Sequence, residues 1–242
     1  MSDPYLLMWL EAPLQSWGAD SRFGRRDSLD FPTRSGVLGL ICCALGRGGE
    51  QCEWLARMSD HPQSVIAYVR QQEKANGKWE KRQREPLLRD FHMVGSGYDD
   101  RDPWQTLLIP KTREGKKAVG GGTKMTYRYY LQDMAFAVIM PLPQNEAPAI
   151  GQALQAPCWD LYLGRKACVP TDIIYRGLFD DETTAEAAAH AIAREKQRAM
   201  DFRVRQGEHD GEVLTLNDVP IQFGNDKRYR DRQVTVMPPW AE

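Results

Sequence analysis

With 242 residues, 42% of them apolar and 27% charged, the chain has the composition of a folded globular protein able to bury a sizeable core. No run of about eighteen apolar residues occurs, which excludes a transmembrane helix, and the start Met1-Ser2-Asp3-Pro4 lacks an export-signal pattern, so no membrane contact and a cytoplasmic location are expected. The net charge of −1 hides an asymmetry, because residues 70–130 carry 14 basic and 8 acidic groups while both flanks are acidic on balance. That middle third is the candidate footprint for a polyanion, with an ordinary solvated face as the alternative.

In chain order, Tyr5 to Leu10 is short, bulky and apolar, and reads as a buried first strand. Pro13 and Gly18 end it and leave Gln15, Ser16 and Trp17 in a loop that continues past Arg22, Phe23, Arg25 and Arg26. Pro32 then breaks the chain before a helix over residues 33–46, with Thr33 or Ser35 as N-cap and Gly46 as the stop. Val37, Leu40, Ile41, Ala44 and Leu45 give that helix one apolar stripe. Its first turn combines Arg34, two hydroxyls and Gly36, which suits either a phosphate site on the free amides or a plain capped core helix.

A second helix is expected near 50–58, and a strand over 64–70. Asn76-Gly77 should close a hairpin spanning 65–88 whose tip is basic. Residues 89–130 show no clear period; glycines at 95, 97, 115 and 120–122 alternate with Lys111, Arg113, Lys116, Lys117 and Lys124, the pattern of a long loop that is either functional or disordered. Ala135 to Met140 is the third clear strand, followed by a short helix from Pro148 to about Ala156. The next helix runs from Thr183 or Thr184 to about Met200, with a thin stripe of Ala185, Ala188, Ala189 and Ile192. Strand-like runs at 213–216 and 233–236 close the chain.

The order strand, helix, strand, hairpin partner, loop, strand, helix over the first 160 residues suits an α+β fold of the ferredoxin-like, RNA-recognition-motif-like kind. Residues 1–160 would be its body, including the hairpin at 65–88 and the long basic loop at 89–130. Residues 161–242 would be a C-terminal β-rich extension, in part irregular. Five cysteines without a CxxC pair argue against a metal cluster or a disulfide framework, and Cys42 and Cys43 read as core packing. No phosphate-loop or GxSxG spacing occurs, and no cofactor is implied.

Several blocks together carry a family resemblance. They are Pro13-Leu14-Gln15-Ser16-Trp17-Gly18, Phe31-Pro32-Thr33-Arg34-Ser35-Gly36, Leu88-Arg89-Asp90-Phe91-His92, Thr126-x-Arg128-x-Tyr130-Leu131-x-Asp133 and Tyr162-Leu163-Gly164-Arg165-Lys166-x-Cys168. In this order they resemble the CasD-type subunits of type I-E CRISPR Cascade complexes. The resemblance implies a non-catalytic RNA-binding subunit of an antiviral ribonucleoprotein complex. It would have a modified RNA-recognition fold with a protruding thumb, here residues 89–130, cap the 5′ handle of the crRNA, and contact a CasC-type backbone subunit and a CasA-type large subunit. Target DNA would be met only through the complex.

An RNA handle needs cations for its phosphates, rings for splayed bases and polar groups for base edges and the 2′-OH. Arg34 with Ser35 and Gly36 is the candidate phosphate site, joined by Arg26, Arg89, Arg128, Arg165 and Lys166. Lys116, Lys117 and Lys124 would hold RNA from the thumb. Trp17, Phe91, Tyr127 and Tyr129 are candidate stacking faces, with core packing as their alternative. Gln15, Ser16 and His92 are candidates for base edges or the 2′-OH. The rival reading is a metal-independent endoribonuclease acting on CRISPR precursor RNA, with His92, Lys124 and Tyr127 as proton-transfer and charge-stabilising groups. A third is a protein-only scaffold whose basic loop docks an acidic partner.

Overall fold

The apolar run from Tyr5 to Leu10 forms β1 (Tyr5–Glu11) in the computed structural model, which describes residues 3–18, 24–94, 99, 101–108, 111–112, 114–116 and 124–239. The chain passes through β2 (Leu14–Gln15) and β3 (Arg25–Arg26) to α1 (Arg34–Ala44). This helix starts as its sequence requires: Thr33 is the extended N-cap, and its hydroxyl accepts from the Gly36 amide at 3.1 Å. After α2 (Cys52–Met58) come β4 (Ser64–Glu73) and β5 (Trp79–Lys81). Asn76-Gly77 turns between them, with Gly77 at φ +75° and its amide bonded to the Lys74 carbonyl at 2.8 Å. Next are β6 (Leu88–Val94), α3 (Pro103–Leu108), β7 (Lys124–Gln132) and β8 (Ala135–Pro141). Then follow α4 (Ala147–Gln155), β9 (Tyr175–Phe179), α5 (Glu182–Glu195), β10 (Arg198–Gln206), β11 (Glu212–Gln222) and β12 (Arg228–Met237).

One eight-stranded sheet carries most of the chain, in the order β11-β12-β10-β4-β8-β1-β9, with β5 hydrogen-bonded to the outer part of β4. Every pair in it is antiparallel. Alternation sorts the central side chains onto two faces. Leu6, Met8, Leu10, Val65, Ala67, Phe136, Val138 and Met140 share one core with α1, α2 and α4. Leu7, Trp9, Ile66, Tyr68, Ala137 and Ile139 face α5 through Ala185, Ala189 and Ala193. With helices on both sides, β1, β8 and the Val65–Val69 part of β4 are apolar at nearly every position, and therefore read as continuous runs rather than alternating ones. The fold is mixed α+β.

Three expectations change. The stretch 89–130 is not irregular throughout: β6 and β7 form a seven-pair antiparallel ladder, from Leu88 opposite Tyr130 to Val94 opposite Lys124. The helix expected to reach Met200 stops at Glu195, where Gln197 turns with φ +53°, and Met200, Phe202 and Val204 then alternate along β10. Nor is the C-terminal part irregular, because β10 pairs directly with β4 and brings β12 and β11 into the main sheet. Cys42 is buried as expected and Cys43 partly so, but Cys52 and Cys158 are exposed. Among the described residues no helix is long and apolar enough to cross a membrane, and no group of three His, Cys, Asp or Glu could hold a metal.

Candidate nucleic-acid interface

The five sequence blocks, scattered over more than 150 positions of the chain, meet at one junction. Gln15 pairs with Leu131 between β2 and β7, and its fully buried amide donates to the carbonyls of Leu10 (3.2 Å) and Met134 (2.8 Å). Its Oε1 accepts from the Trp17 indole at 3.1 Å. The Ser16 amide donates to the Leu163 carbonyl at 3.1 Å, and its hydroxyl to the Tyr129 carbonyl at 3.2 Å. Trp17 lies against Gly36, where an added Cβ would come within 2.9 Å of the indole. Gln15, Ser16 and Trp17 are therefore 0–3% exposed and tie strands together; this corrects their expected roles as base readers and stacking face.

Gly36 serves that same packing. Although alanine favours helices over glycine by about 1 kcal/mol, Gly36→Ala would drive a methyl into both Trp17 and the Thr33 hydroxyl. We expect a net loss of about 1–3 kcal/mol, the usual cost of overpacking, measured as a lower midpoint in urea unfolding.

Arg34 brings the largest correction. It is fully buried, its Nη2 donates to the Met58 carbonyl at 2.8 Å, and its backbone amide donates to Asp218 Oδ2 at 2.7 Å. Asp218 is in turn clasped by Arg232 at 2.7 and 2.9 Å. The helix N-terminus does attract an anion, as its dipole requires, but the anion is a carboxylate of the same chain. Burial, with Arg232 nearby, brings the Arg34 guanidinium down to about 10 in pKa against the opposing pull of Asp218, so it stays charged at neutral pH.

Solvent meets a different surface. On one side of the β6–β7 ladder, Arg89, Phe91 and Met93 lie opposite Tyr129, Tyr127 and Met125. Phe91 (47% exposed) and Tyr127 (43%) have ring centroids 5.3 Å apart. The Arg89 guanidinium lies 5.5 Å from the Tyr127 ring, and Arg25 lies 5.0 Å from that of Tyr129. Arg25 arrives because β3 runs parallel to β7, with the Gly24 carbonyl accepting from the Tyr127 amide at 2.7 Å. A Cβ on Gly24 would sit 3.0 Å from the Met125 carbonyl, so glycine allows this approach. Guanidinium groups stacked on exposed rings are able to take both the bases and the phosphates of a single strand.

The reverse side of the ladder is polar. Arg128 lies opposite Asp90 and beside Arg26, and the His92 imidazole contacts the Asp90 carboxylate. Arg165 extends over the Tyr130 ring at 4.8 Å and donates to the Arg26 carbonyl at 2.9 Å, with Lys166 exposed beside it. His92 and Tyr127 occupy positions of opposite parity and thus opposite faces, which separates two members of the cleaving group considered above. Ser35 is half-buried at α1 with its hydroxyl 3.4 Å from that of Thr33. Lys116 is exposed at a turn where its carbonyl accepts from Thr112 at 2.7 Å. Lys117, Arg22, Phe23, Arg113 and the glycines at 95, 97 and 120–122 lie outside the described residues, as does the side chain of Lys124. Sequence reasoning misses Met93 and Met125 and the ring-stacking role of Arg25; the alternation Met125-x-Tyr127-x-Tyr129 was the available signal.

Comparison with known proteins agrees with this architecture. A family model described as CRISPR-associated protein (Cas_Cas5) matches residues 5–235. The CRISPR system Cascade subunit CasD of Escherichia coli (strain K12) is 32% identical over 176 residues, covering 72% of this chain and 70% of that protein. A chain in a solved CRISPR RNA-guided surveillance complex superposes with a TM-score of 0.67 at 29% identity, over 97% of this chain and 89% of that one. A crystal structure of a Cas protein gives a TM-score of 0.58 at 25% identity, over 97% and 95% of the two chains. The match runs from β1 into β12 and so takes in the sheet, the junction and the exposed ladder alike: the chain belongs to the Cas5 family of CRISPR-associated proteins.

Proposed function

We propose that this chain is the CasD-type subunit of a CRISPR RNA-guided Cascade complex, where it caps the 5′ handle of the crRNA. It contacts a CasC-type backbone subunit and a CasA-type large subunit, and meets target DNA only through the complex. The observation that carries the reading is the exposed ladder in which Arg25 and Arg89 stack over Tyr129 and Tyr127 beside Phe91. Arg26, Arg128, Arg165 and Lys166 add phosphate contacts at its flank, and Lys116, Lys117 and Lys124 add them from the thumb. The strand order β9-β1-β8-β4, with α1 and α4 on the crossovers, supports a ferredoxin-like reading. Its fourth strand, β9, lies beyond residue 160, so the body expected over residues 1–160 reaches Phe179 and the remaining residues to 242 extend it. The role is non-catalytic and belongs to the cytoplasm.

The test is guide-RNA retention in complexes assembled with ladder variants. Tyr127→Ala should weaken retention about tenfold, one stacked base being worth about 1–3 kcal/mol. Arg89→Glu should weaken it further and flatten the dependence on salt, since each lost phosphate contact lowers that slope by about 1. Retention and salt slope unchanged in both variants would remove the ladder from the RNA path. Incubation of the purified chain with CRISPR repeat RNA in EDTA should give no product; a discrete product abolished by His92→Ala would favour the endoribonuclease instead.

A further inference from the structure

The helices leave one corner of the large sheet uncovered. Past its middle, β11 is held by them: Asp218 accepts from the first amide of α1, and the Pro220 carbonyl accepts from the Ser59 hydroxyl at the end of α2. At its start, around Glu212 and Leu214, a groove of about 970 Å³ opens instead, and none of the residues lining it belongs to a helix. Phe202 of β10, Leu214 of β11 and Val236 of β12 supply its apolar surface, together with Pro238 and Pro239. The first three are half-buried at the margin of the core that α1, α2 and α4 cover elsewhere.

Both cations of the lining are already engaged. Lys81 pairs with Asp201 at 2.5 Å, and Arg84 pairs with Asp30 at 2.7 Å while lying 5.8 Å from the Phe202 ring. The third carboxylate of the lining, Glu212, lies opposite Val236 and follows a loop that adds Glu208 and Asp210. The loop is fixed against β12: the Gly207 amide donates to the Gln233 carbonyl at 2.9 Å, and the His209 amide to the Thr235 hydroxyl at 3.0 Å. Arg203 and Arg205 of the preceding strand are held by Glu186 instead. Glu208, Asp210 and Glu212 are thus exposed, and among the described residues none of them forms an ion pair.

Charge decides what can cover this corner. A phosphate brought here would find no free cation and would face an unpaired acidic rim, so the groove repels nucleic acid. An apolar centre edged by unpaired carboxylates is complementary to a protein surface that carries apolar side chains beside a cation. We infer that a segment of a neighbouring protein subunit docks in this groove, its apolar side chains on Phe202, Leu214 and Val236 and a lysine or arginine facing Glu208, Asp210 and Glu212. The inference rests on the reading above that the chain works inside a multi-subunit complex, and it adds the surface used and the chemistry of the segment that fits it.

The photocrosslinker p-benzoylphenylalanine in place of Gln83, an exposed residue of the lining, tests it in the assembled complex. Illumination should join this position to one segment of another protein subunit, in which apolar side chains stand close in sequence to a lysine or arginine. Glu212→Lys should slow association of that subunit about three- to tenfold at low salt, with the difference fading as salt rises. Because Glu212 is exposed and unpaired, this variant should melt with the parent chain. Reversing the charge of the cation in the crosslinked segment should restore the rate in Glu212→Lys complexes. Crosslinks confined to residues 240–242 of the same chain would overturn the proposal in favour of the residues that follow Pro239. Crosslinks to RNA would overturn it in favour of a nucleic-acid site. An intact complex with no crosslink from position 83 would overturn it too, as would assembly of Glu212→Lys at the parent rate in low salt. Failure of the parent chain to enter a complex with crRNA and other Cascade subunits would instead overturn the functional reading on which the proposal stands.

Discussion

Asp218→Ala should destabilise the fold by about 3–5 kcal/mol, a large share of the stability of an ordinary domain. The carboxylate accepts from the first amide of α1 and from two nitrogens of Arg232, all at 2.7–2.9 Å. Arg34 is fully buried beside it and Arg232 is 9% exposed. The Asp218 charge also offsets that of the buried Arg34 guanidinium. Removing it leaves two guanidinium ions out of water without that compensation and, among the described residues, one helix amide without its acceptor. Arg232→Met in the Asp218→Ala background should recover part of the loss, because it removes one of the stranded charges. Urea unfolding reads both values; a loss below about 1 kcal/mol for the single variant would mean that the cluster is neutralised in some other way.

Gly164→Ala should be more severe still, preventing a stable fold or costing more than about 4 kcal/mol. Gly164 has φ +99°, and an alanine Cβ there would lie 1.7 Å from the Ser16 carbonyl oxygen. No rotamer relieves a clash between a Cβ and a backbone atom, so the loop must withdraw from the junction and break the Ser16–Leu163 hydrogen bond. Gly77→Ala is the control. Gly77 also has a positive φ, +75°, but nothing lies within 4 Å of the new methyl, so it should cost only the left-handed backbone term of about 1–2 kcal/mol. Equal losses at the two sites would show that backbone conformation, not contact with Ser16, is what Gly164 supplies.

Local signals were readable wherever the local sequence decides the outcome. Thr33 caps α1, Asn76-Gly77 turns the hairpin, and the apolar runs at 5–10 and 135–140 are strands at the centre of the sheet. The errors share one origin, which is dependence on residues far away in sequence. Arg34 looks like a phosphate ligand until Asp218 arrives from 184 positions later to occupy the same helix end. Gln15, Ser16 and Trp17 look like a polar loop until Tyr129, Met134 and Leu163 close over them. The ladder was obscured for a different reason: both its strands expose rings and methionines, so neither shows the apolar-in, polar-out alternation that marks a half-buried strand. Its chemistry survived that misreading, because Tyr127 and Arg89 are legible as a ring and a cation in either conformation.

The central position of β1 also governs how the molecule is made. β1 leaves the ribosome before every other described strand, yet its partners are β8, which ends at Pro141, and β9, which ends at Phe179. At about 5–20 residues per second, Leu6 to Leu10 therefore wait on the order of ten seconds without the neighbours that later bury them. The four-strand centre closes only after that delay, and β10 joins β4 later again. Such non-local pairing folds slowly and leaves sticky strands unpaired in the meantime. Overproduction of the chain should thus respond more to less frequent initiation, which keeps waiting chains dilute, or to a chaperone that holds β1, than to substitutions on the finished surface.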